Sequence, residues 1–500
     1  MKGSDSIRQV VRAGHLFAVL LVIILSATLQ AQIGQQPQPP VTQAGSLQST
    51  PSSQTQTPSS VTPSGTSSDP FSGSVITGKA TDEVIAISLK DAINRGLKAN
   101  LGALLTEQGI TSARAQRWRA LQSMLPDITA RVGESVQQVN LAASGIRFPG
   151  VPTIIGPFSN FDTRAYLNAT AGFTQYESIR SAVENLKGAQ FSYRNALELV
   201  VYSVSNAYLQ VLTAGANVVN AQAQVQTAQA TLDQAEQMHQ AGVTAKIDGL
   251  RASVELQARK QDLIVAKNNL DKSRIAFART IGLPLEQKYE LADTLQFIQA
   301  PAITQEEALH RAYQNRFDYR QAQSQVRAAE LSERAAHFER LPSLSFNGNY
   351  GDIGISPGSS HGTFVAAGAL QVPIFEEGRI RGDIYQAQAG LKQSKDQLAD
   401  LEGRINAEIR TAFLDINAAA EQVQLSDSTV KLAQEELAEA RERFAAGVTD
   451  NLEVVQAQGS LVNAQNQYVS SLYIHNLAKL TLARVVGEAR QNAATYLGGK

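Results

Sequence analysis

Between Ile179 and His239 an apolar or small residue recurs at alternating steps of four and three. The series is Val183, Leu186, Tyr193, Leu197, Val200, Val204, Ala207, Val211, Ala214, Val218, Ala221, Val225, Ala228, Leu232 and Ala235, broken only at Gln190 and at the closing His239. A seven-residue repeat this long dictates a coiled coil rather than a globular packing. As one helix, residues 179–239 would span roughly 90 Å at 1.5 Å per residue. A second series starts at Ile384 and runs through Leu391, Leu398, Ile405, Ile409, Ala412, Ile416, Ala419, Val423, Val430, Ala433, Leu437, Ala440 and Phe444, with polar breaks at Gln388, Lys395, Glu402 and Ser426. Gly242 and Gly447 end the two helices. Return helices are expected over about 248–281 and 453–486, the first with Leu256, Leu263, Leu270 and Phe277 at heptad spacing, so each tip is a tight antiparallel hairpin.

The two series belong to an internal duplication. Shifting the chain by 216 positions places Ile87, Ala92, Arg95, Ala113, Ala120, Leu125 and Pro126 on Ile303, Ala308, Arg311, Ala329, Ala336, Leu341 and Pro342. A shift of 205 superposes Ala241-Gly242-Val243-Thr244 on Ala446-Gly447-Val448-Thr449, and Ala278-Arg279 with Gly282 on Ala483-Arg484 with Gly487. The repeats cover 87–299 and 300–488, with a tail over 489–500. Each opens with a helix of about 35 residues, 88–124 and 304–340, ending at Leu-Pro, since proline turns the preceding residue toward extended backbone. Two stretches of strand-like alternation follow in each, 127–138 with 163–174 and 343–351 with 362–372, joined by loops rich in Gly, Pro and Ser.

Composition removes several function classes. Net charge is −1 and 18% of residues are charged, so no basic nucleic-acid surface is expected. Cysteine is absent, which excludes disulfides, thiolate metal sites, cysteine nucleophiles and a lipidated cysteine. Six scattered histidines supply no metal spacing, and no nucleophile–base pair or phosphate loop is evident, so neither an enzyme nor a cofactor is expected. Lys2, Arg8 and Arg12 precede the apolar run Leu16–Leu25 and a small, polar stretch, the order of a signal peptide over 1–31. Residues 32–80, rich in Gln, Pro, Ser and Thr, read as a disordered leader.

Isolated two-stranded hairpins are barely stable in water, and these carry apolar residues at alternate positions, such as Ile128, Ala130 and Val132, or Leu344 and Phe346. Their length suits a tilted outer-membrane strand. Four strands cannot close a barrel, so the chain would have to oligomerise: two copies give eight strands, three give twelve with room for a pore. A secreted coiled-coil scaffold or adhesin without channel activity is the alternative.

At this point the chain resembles the outer-membrane efflux family, the TolC-like proteins. The resemblance rests on the duplicated layout, the two Ala-Gly-Val-Thr tips, Ala-Arg-x-x-Gly at both repeat ends, and Val372-Pro373-Ile374-Phe375-Glu376-Glu377-Gly378-Arg379, similar to the family's Pro-Leu-Phe-x-x-Gly-Arg stretch. The first repeat departs from it, with Thr174-Gln175-Tyr176-Glu177 and no proline at the strand exit. The resemblance implies a mainly α fold with a small β part: a homotrimer whose twelve-stranded barrel sits in outer-membrane lipid on an α-helical periplasmic tunnel. The implied function is a passive export duct of a tripartite efflux or type I secretion system, its partners a periplasmic adaptor and an inner-membrane pump of RND, ABC or MFS type.

The resemblance also implies roles for residues. Glu453 matches the position of an acidic ring that narrows the tunnel, and Gln456 stands one turn inward where a second acid can occur. Repeated around an aperture, such a carboxylate concentrates negative potential; the plainer alternative is a solvated acid in a helix's first turn. Asp450, which also reads as a helix cap or first-turn acid, and Asp248, the first-repeat counterpart of Glu453, fall with Glu453 and Gln456 in the implied aperture region. Gly242, Val243 and Thr244 with Gly447, Val448 and Thr449 occupy the turns where the resemblance places adaptor docking, although the glycines are needed for the turns in any case.

Overall fold

The computed structural model describes residues 70–145 and 152–497. The signal peptide and residues 32–69 of the leader lie outside the described residues. In chain order the elements are β1 (Ile85–Ile87), α1 (Leu89–Ala99), α2 (Leu101–Gln122), β2 (Asp127–Asn140), β3 (Ile154–Ala171), α3 (Phe173–Gln240), α4 (Lys246–Ile281) and β4 (Tyr289–Leu291), then α5 (Gln305–Asn315), α6 (Phe317–Phe338), β5 (Ser343–Gly354), β6 (His361–Gln371), α7 (Glu377–Ala445), α8 (Asn451–Val486) and α9 (Ala489–Leu497).

The heptad seams become α3 and α7, of 68 and 69 residues, each about 100 Å long at 1.5 Å per residue. Their apolar positions are buried: Val200, Val204, Val211, Ala221, Ala228 and Ala235 along α3, and Ile405, Ile409, Ile416, Val423, Leu437 and Phe444 along α7. Three of the four polar breaks in the second seam are cross-helix pairs. Ser426 meets Ser471 of α8 at 2.7 Å, Glu402 accepts from the Tyr319 hydroxyl of α6 at 3.1 Å, and Lys395 faces Glu330 of α6 at 3.8 Å. Between α3 and α8, Gln458 donates to Thr231 at 2.6 Å and Gln224 to Gln465 at 3.2 Å. Such cross-helix bonds fix the register of helices whose alanine-rich seams would otherwise slide, although the Gln458 Oε1 stays buried without a partner.

The 35-residue helices expected at the start of each repeat are not continuous. The first breaks at Asn100, whose backbone is extended, whose Oδ1 accepts from the Gly102 N–H at 2.9 Å and whose amide donates to the Phe71 carbonyl at 2.7 Å. The second breaks at Arg316, also extended and held by Asp318 and Glu408. At these breaks the short helices turn onto the middle of α3 and α7. Ile87, Leu89, Val204, Tyr208, Phe277, Ile281 and Ala483 form one core there; Ala308, Ala312, Ile405, Ile409, Leu482 and Val486 form a second.

Residues 70–80 correct the leader's boundary. Pro70–Ser72 form a 3-10 turn, the Val75 N–H donates to the Ala99 carbonyl at 2.8 Å, and the Thr77 N–H donates to the Gly282 carbonyl at 3.0 Å. Phe71 packs on the first core, apolar burial that composition over a long window conceals. The tail forms α9, whose Arg490 N–H donates to the buried Glu198 carboxylate at 2.8 Å. Burial raises Glu198 above the usual carboxylate range, against the lowering effect of the donors at Arg490 and Ala489.

Between the repeats, β1 and β4 pair in parallel, and Asp293 accepts from both the Tyr208 hydroxyl at 2.8 Å and the Leu89 N–H at 3.2 Å. Further along, the Ile298 carbonyl accepts from Lys479 Nζ at 2.9 Å and from His475 Nε2 at 3.2 Å, and Phe297 stacks on His475. Lys479 is fully buried, and this pushes its ammonium down to about 8 from 10.5. The unfolded chain therefore holds that proton more readily. The charged form is a penalty on the fold below pH 8 that is relieved as pH rises from 8 toward 10.5, worth about 3 kcal/mol. The denaturation midpoint of wild type relative to Lys479→Met should rise across that window; a difference that does not change with pH would refute the burial cost.

The other sheet has the order β2-β3-β5-β6, antiparallel throughout, so the β3–β5 pairing joins the two repeats and β2 and β6 are its edges. β3 starts at Ile154, nine residues before its expected start, and takes in Gly156 and Pro157, read from sequence as loop. Proline is tolerated because the register shifts between Gln137 and Val139 of the facing strand, where no ladder bond is required.

Candidate functional site

Strand alternation and the observed register sort the sheet's side chains into two unlike faces. One carries Ile128, Ala130, Val132 and Val136 of β2, Phe161, Ala165, Leu167 and Ala169 of β3, Leu344, Phe346 and Tyr350 of β5, and Phe364, Ala366 and Leu370 of β6. Among these, Ile128, Val132, Val136, Tyr350, Phe364 and Leu370 are exposed in the single chain. Glu134 and Asp352 fall on this face only toward the end farther from the helices. The opposite face is mainly polar on β2, β3 and β5, with Thr129, Arg131, Asn160, Asp162, Arg164, Tyr166, Asn168, Asn347 and Asn349, while β6 sets Val365, Ala367 and Ala369 beside Thr363 there. An apolar face without a covering layer, backed by a polar one, is the pattern of a wall between lipid and water.

Where the sheet meets the helices, the two repeats differ. In the first, β3 ends at Ala171 and α3 begins at Phe173, with Gly172 alone between them; the missing proline does not disturb the exit. In the second, residues 372–376 intervene, with Ile374 94% and Phe375 92% exposed. Arg379 of the shared motif gathers three carboxylates, Glu339 at 2.6 Å, Glu376 at 2.7 Å and Asp383 at 3.1 Å, tying the end of α6 to the start of α7.

At the far end of the long helices lie both tips. Gly242 and Gly447 have φ of +73° and +70°, and each is followed by the same pair of bonds. The Gly242 N–H donates to the His239 carbonyl and the Val243 N–H to the Met238 carbonyl; Gly447 and Val448 repeat this with Phe444 and Arg443. Two orphaned carbonyls of each helix end are satisfied, and the left-handed turn favours glycine, which takes it without strain. Val243 and Val448 are left 60% and 69% exposed on the crown of each turn. Thr244 and Thr449 lie just inside, each with a buried hydroxyl that has no hydrogen-bond partner.

Below the turns the acids part company. Asp248, in the first turn of α4, is buried; Arg251 reaches it at 3.6 Å and Asp450 at 3.4 Å. Asp450 caps α8 by accepting from the Leu452 N–H at 3.1 Å, and the fully buried Asn451 donates to the Asp248 carbonyl at 3.1 Å. Asp248, Arg251, Asp450 and Asn451 thus clamp one hairpin to the other over a shared core of Ala235, Ala252, Phe444, Val454 and Ala457. Glu453 is not part of that clamp: it pairs with Arg443 of α7 at 3.4 Å within its own hairpin, and Gln456 is exposed one turn along α8. Sequence reasoning missed Arg251, Asn451 and Arg443. Arg251 stands three residues after Asp248, a spacing that could have found it; the Arg443–Glu453 pair forms only once the turn has closed.

Among the described residues no cluster of His, Cys, Asp or Glu could hold a metal ion, and no helix is long and apolar enough to cross a membrane. The family model for the outer membrane efflux protein matches residues 104–283 and 308–488, one match to each repeat. The chain is 26% identical over 434 residues to the pyoverdine export outer membrane protein OpmQ of Pseudomonas aeruginosa, covering 80% of this chain and 86% of that one. It is 22% identical to the outer membrane protein TolC of Vibrio cholerae, over 76% and 84% of the two chains. Among solved structures, the Campylobacter jejuni CmeC outer membrane channel superposes with a TM-score of 0.70 at 18% identity, covering 84% of this chain and 92% of that one. The outer membrane protein VceC of Vibrio cholerae gives 0.68 at 17%, covering 82% and 96%. With two matched repeats, a four-stranded sheet shared between them and paired helical hairpins, the chain belongs to the outer membrane efflux protein family.

Proposed function

We propose that this outer-membrane protein is the exit duct of a tripartite efflux or type I secretion system, closing a trimeric barrel in lipid and passing substrate delivered by an adaptor and an inner-membrane pump. The observation that carries the reading is the two-faced sheet with open edges. β2 and β6 each present a ladder of unpaired backbone groups, which lipid cannot satisfy, and neighbouring copies remove both edges at once. Three copies supply twelve strands, enough for a water-filled interior lined by the polar face. The energy comes from the pump, so this chain performs no chemistry.

The tips divide the remaining work. Val243 and Val448, crowning turns repeated in every copy, form the adaptor contact. Glu453 with Gln456 lines the aperture, and Asp248 and Asp450, joined by Arg251, hold the two hairpins in register behind it. Single-channel recording of the detergent-extracted mature protein in a planar bilayer, with oligomer mass measured on the same sample, tests the reading. Currents from a trimer support the duct; a monomer without current refutes it. Glu453→Gln should weaken cation selectivity, and only modestly, because Arg443 already offsets part of the carboxylate's charge. Unchanged selectivity and conductance would remove Glu453 from the aperture.

A further inference from the structure

On the polar face of the sheet, Arg131 of β2 lies directly opposite Arg164 of β3. Side chains so paired have Cβ atoms about 5 Å apart, and like charges there destabilise an antiparallel pair. The sheet bonds only one of the two, while the other shares the field of the same aspartate without a bond. Arg164 forms a bidentate pair with Asp162, its Nε 2.6 Å from Oδ1 and its Nη2 on Oδ2, and lies over the Tyr166 ring at 5.4 Å from the centroid. Asp162, Arg164 and Tyr166 are two residues apart in sequence and share one face. Arg131 is exposed and makes no hydrogen bond or ion pair within 4 Å among the described residues.

The next strand adds nothing to shield this pair. Gly351 of β5 stands opposite Arg164, and a Cβ there would lie 2.0 Å from the Thr163 carbonyl oxygen, so no side chain can be placed beside the guanidinium. The neighbouring position on β6 is Thr363. At this level each chain therefore offers two arginines against one aspartate. The closest other acid on the polar face of β2, Asp127, is four residues along the strand, about 14 Å away.

We propose that Arg131 and Arg164 form a positively charged collar inside the barrel that favours small anionic solutes, inorganic anions and carboxylates, over cations at that level. This rests on the duct reading, which turns the polar face inward. Three copies bring six arginines and three aspartates around one lumen, and low-dielectric walls focus the field of the excess charge. The collar stands in series with the acidic tips, so the passage carries charges of opposite sign at its two ends.

The test is the reversal potential of reconstituted channels under a potassium chloride gradient, for wild type, Arg131→Gln/Arg164→Gln and Arg131→Lys/Arg164→Lys, each also in a Glu453→Gln background so that the tips do not mask the barrel. The glutamine pair should lower the chloride-to-potassium permeability ratio by about threefold or more, and the lysine pair should keep it. If the glutamine variant inserts poorly, Arg131→Gln alone reads the same property, since Arg131 makes no bond among the described residues. A ratio unchanged by glutamine, or lost equally with lysine, overturns the collar. Wild type that forms no channel overturns the duct instead.

Discussion

Gly447→Trp is expected to abolish export while yield, oligomer mass and membrane insertion stay at wild-type levels. The turn has room for a side chain, since a Cβ on Gly447 meets nothing within 4 Å, and the indole would stand beside the exposed Val448 on the surface proposed to dock the adaptor. Its cost inside the chain is limited to the left-handed backbone, roughly 1–2 kcal/mol for any L side chain. Its cost at the interface is larger. A bulky group in the centre of a docking surface removes about 3 kcal/mol or more per site, which is a hundredfold or more in affinity. Gly447→Ala separates the two effects, carrying the same strain without the bulk, and should retain export. Drug accumulation or secreted cargo in a strain lacking the wild-type protein reads the outcome, and full export by the tryptophan variant would refute docking at this turn.

Arg316→Ala should destabilise the chain by about 3–5 kcal/mol, as removal of one member of a buried ion-pair group does. The guanidinium is 7% exposed and has four contacts: Asp318 at 2.7 and 3.1 Å, Glu408 at 2.6 Å and the Val485 carbonyl at 3.4 Å. Burial alone would raise Asp318, yet the Arg316 guanidinium outweighs it and holds the carboxyl below the usual range. Alanine leaves Glu408 without its ion-pair partner, and Asp318 with only the Tyr319 N–H at 2.9 Å and the more distant Arg484, at the break between α5 and α6. Because the carboxyl is depressed in the fold, its contribution is present above its unfolded value and fades as pH falls through the folded one. The loss should therefore be largest near neutral pH and shrink in acid. A denaturant midpoint for Arg316→Ala equal to that of wild type would show that the break is held by packing alone.

That break illustrates what sequence patterning could and could not deliver. The seams that became α3 and α7 were legible because each step of the repeat is a local statement about one helix face, and the tips because glycine takes the positive φ found at Gly242 and Gly447 without strain. The alternation of Ile128, Ala130 and Val132 marked a strand, but its partner was fixed only by register. The breaks at Asn100 and Arg316 interrupt stretches whose apolar periodicity runs on. They exist because Phe71 and Glu408, both remote in sequence, together with Asp318 two residues beyond Arg316, offer better bonds than another helical turn. The β1–β4 pairing is likewise invisible locally, since 200 residues separate the strands. At the tips, Asp248 and Asp450 were identified as acids of the aperture region; that Arg251 bridges them could be known only once the hairpins lay side by side.

The unpaired edges of β2 and β6 have a genetic consequence. Under the proposed assembly no copy can reside in lipid alone, so insertion succeeds only when all three edges close together, and a single faulty edge spoils the whole. A variant that folds normally through its helices but carries proline in the middle of β6 would still enter assemblies through its intact parts. Expressed in equal amount beside wild type, it would leave only about one assembly in eight free of a defective copy. Lesions of the sheet edge should therefore behave as dominant, whereas lesions such as Arg316→Ala, which remove the chain before it can associate, should be recessive.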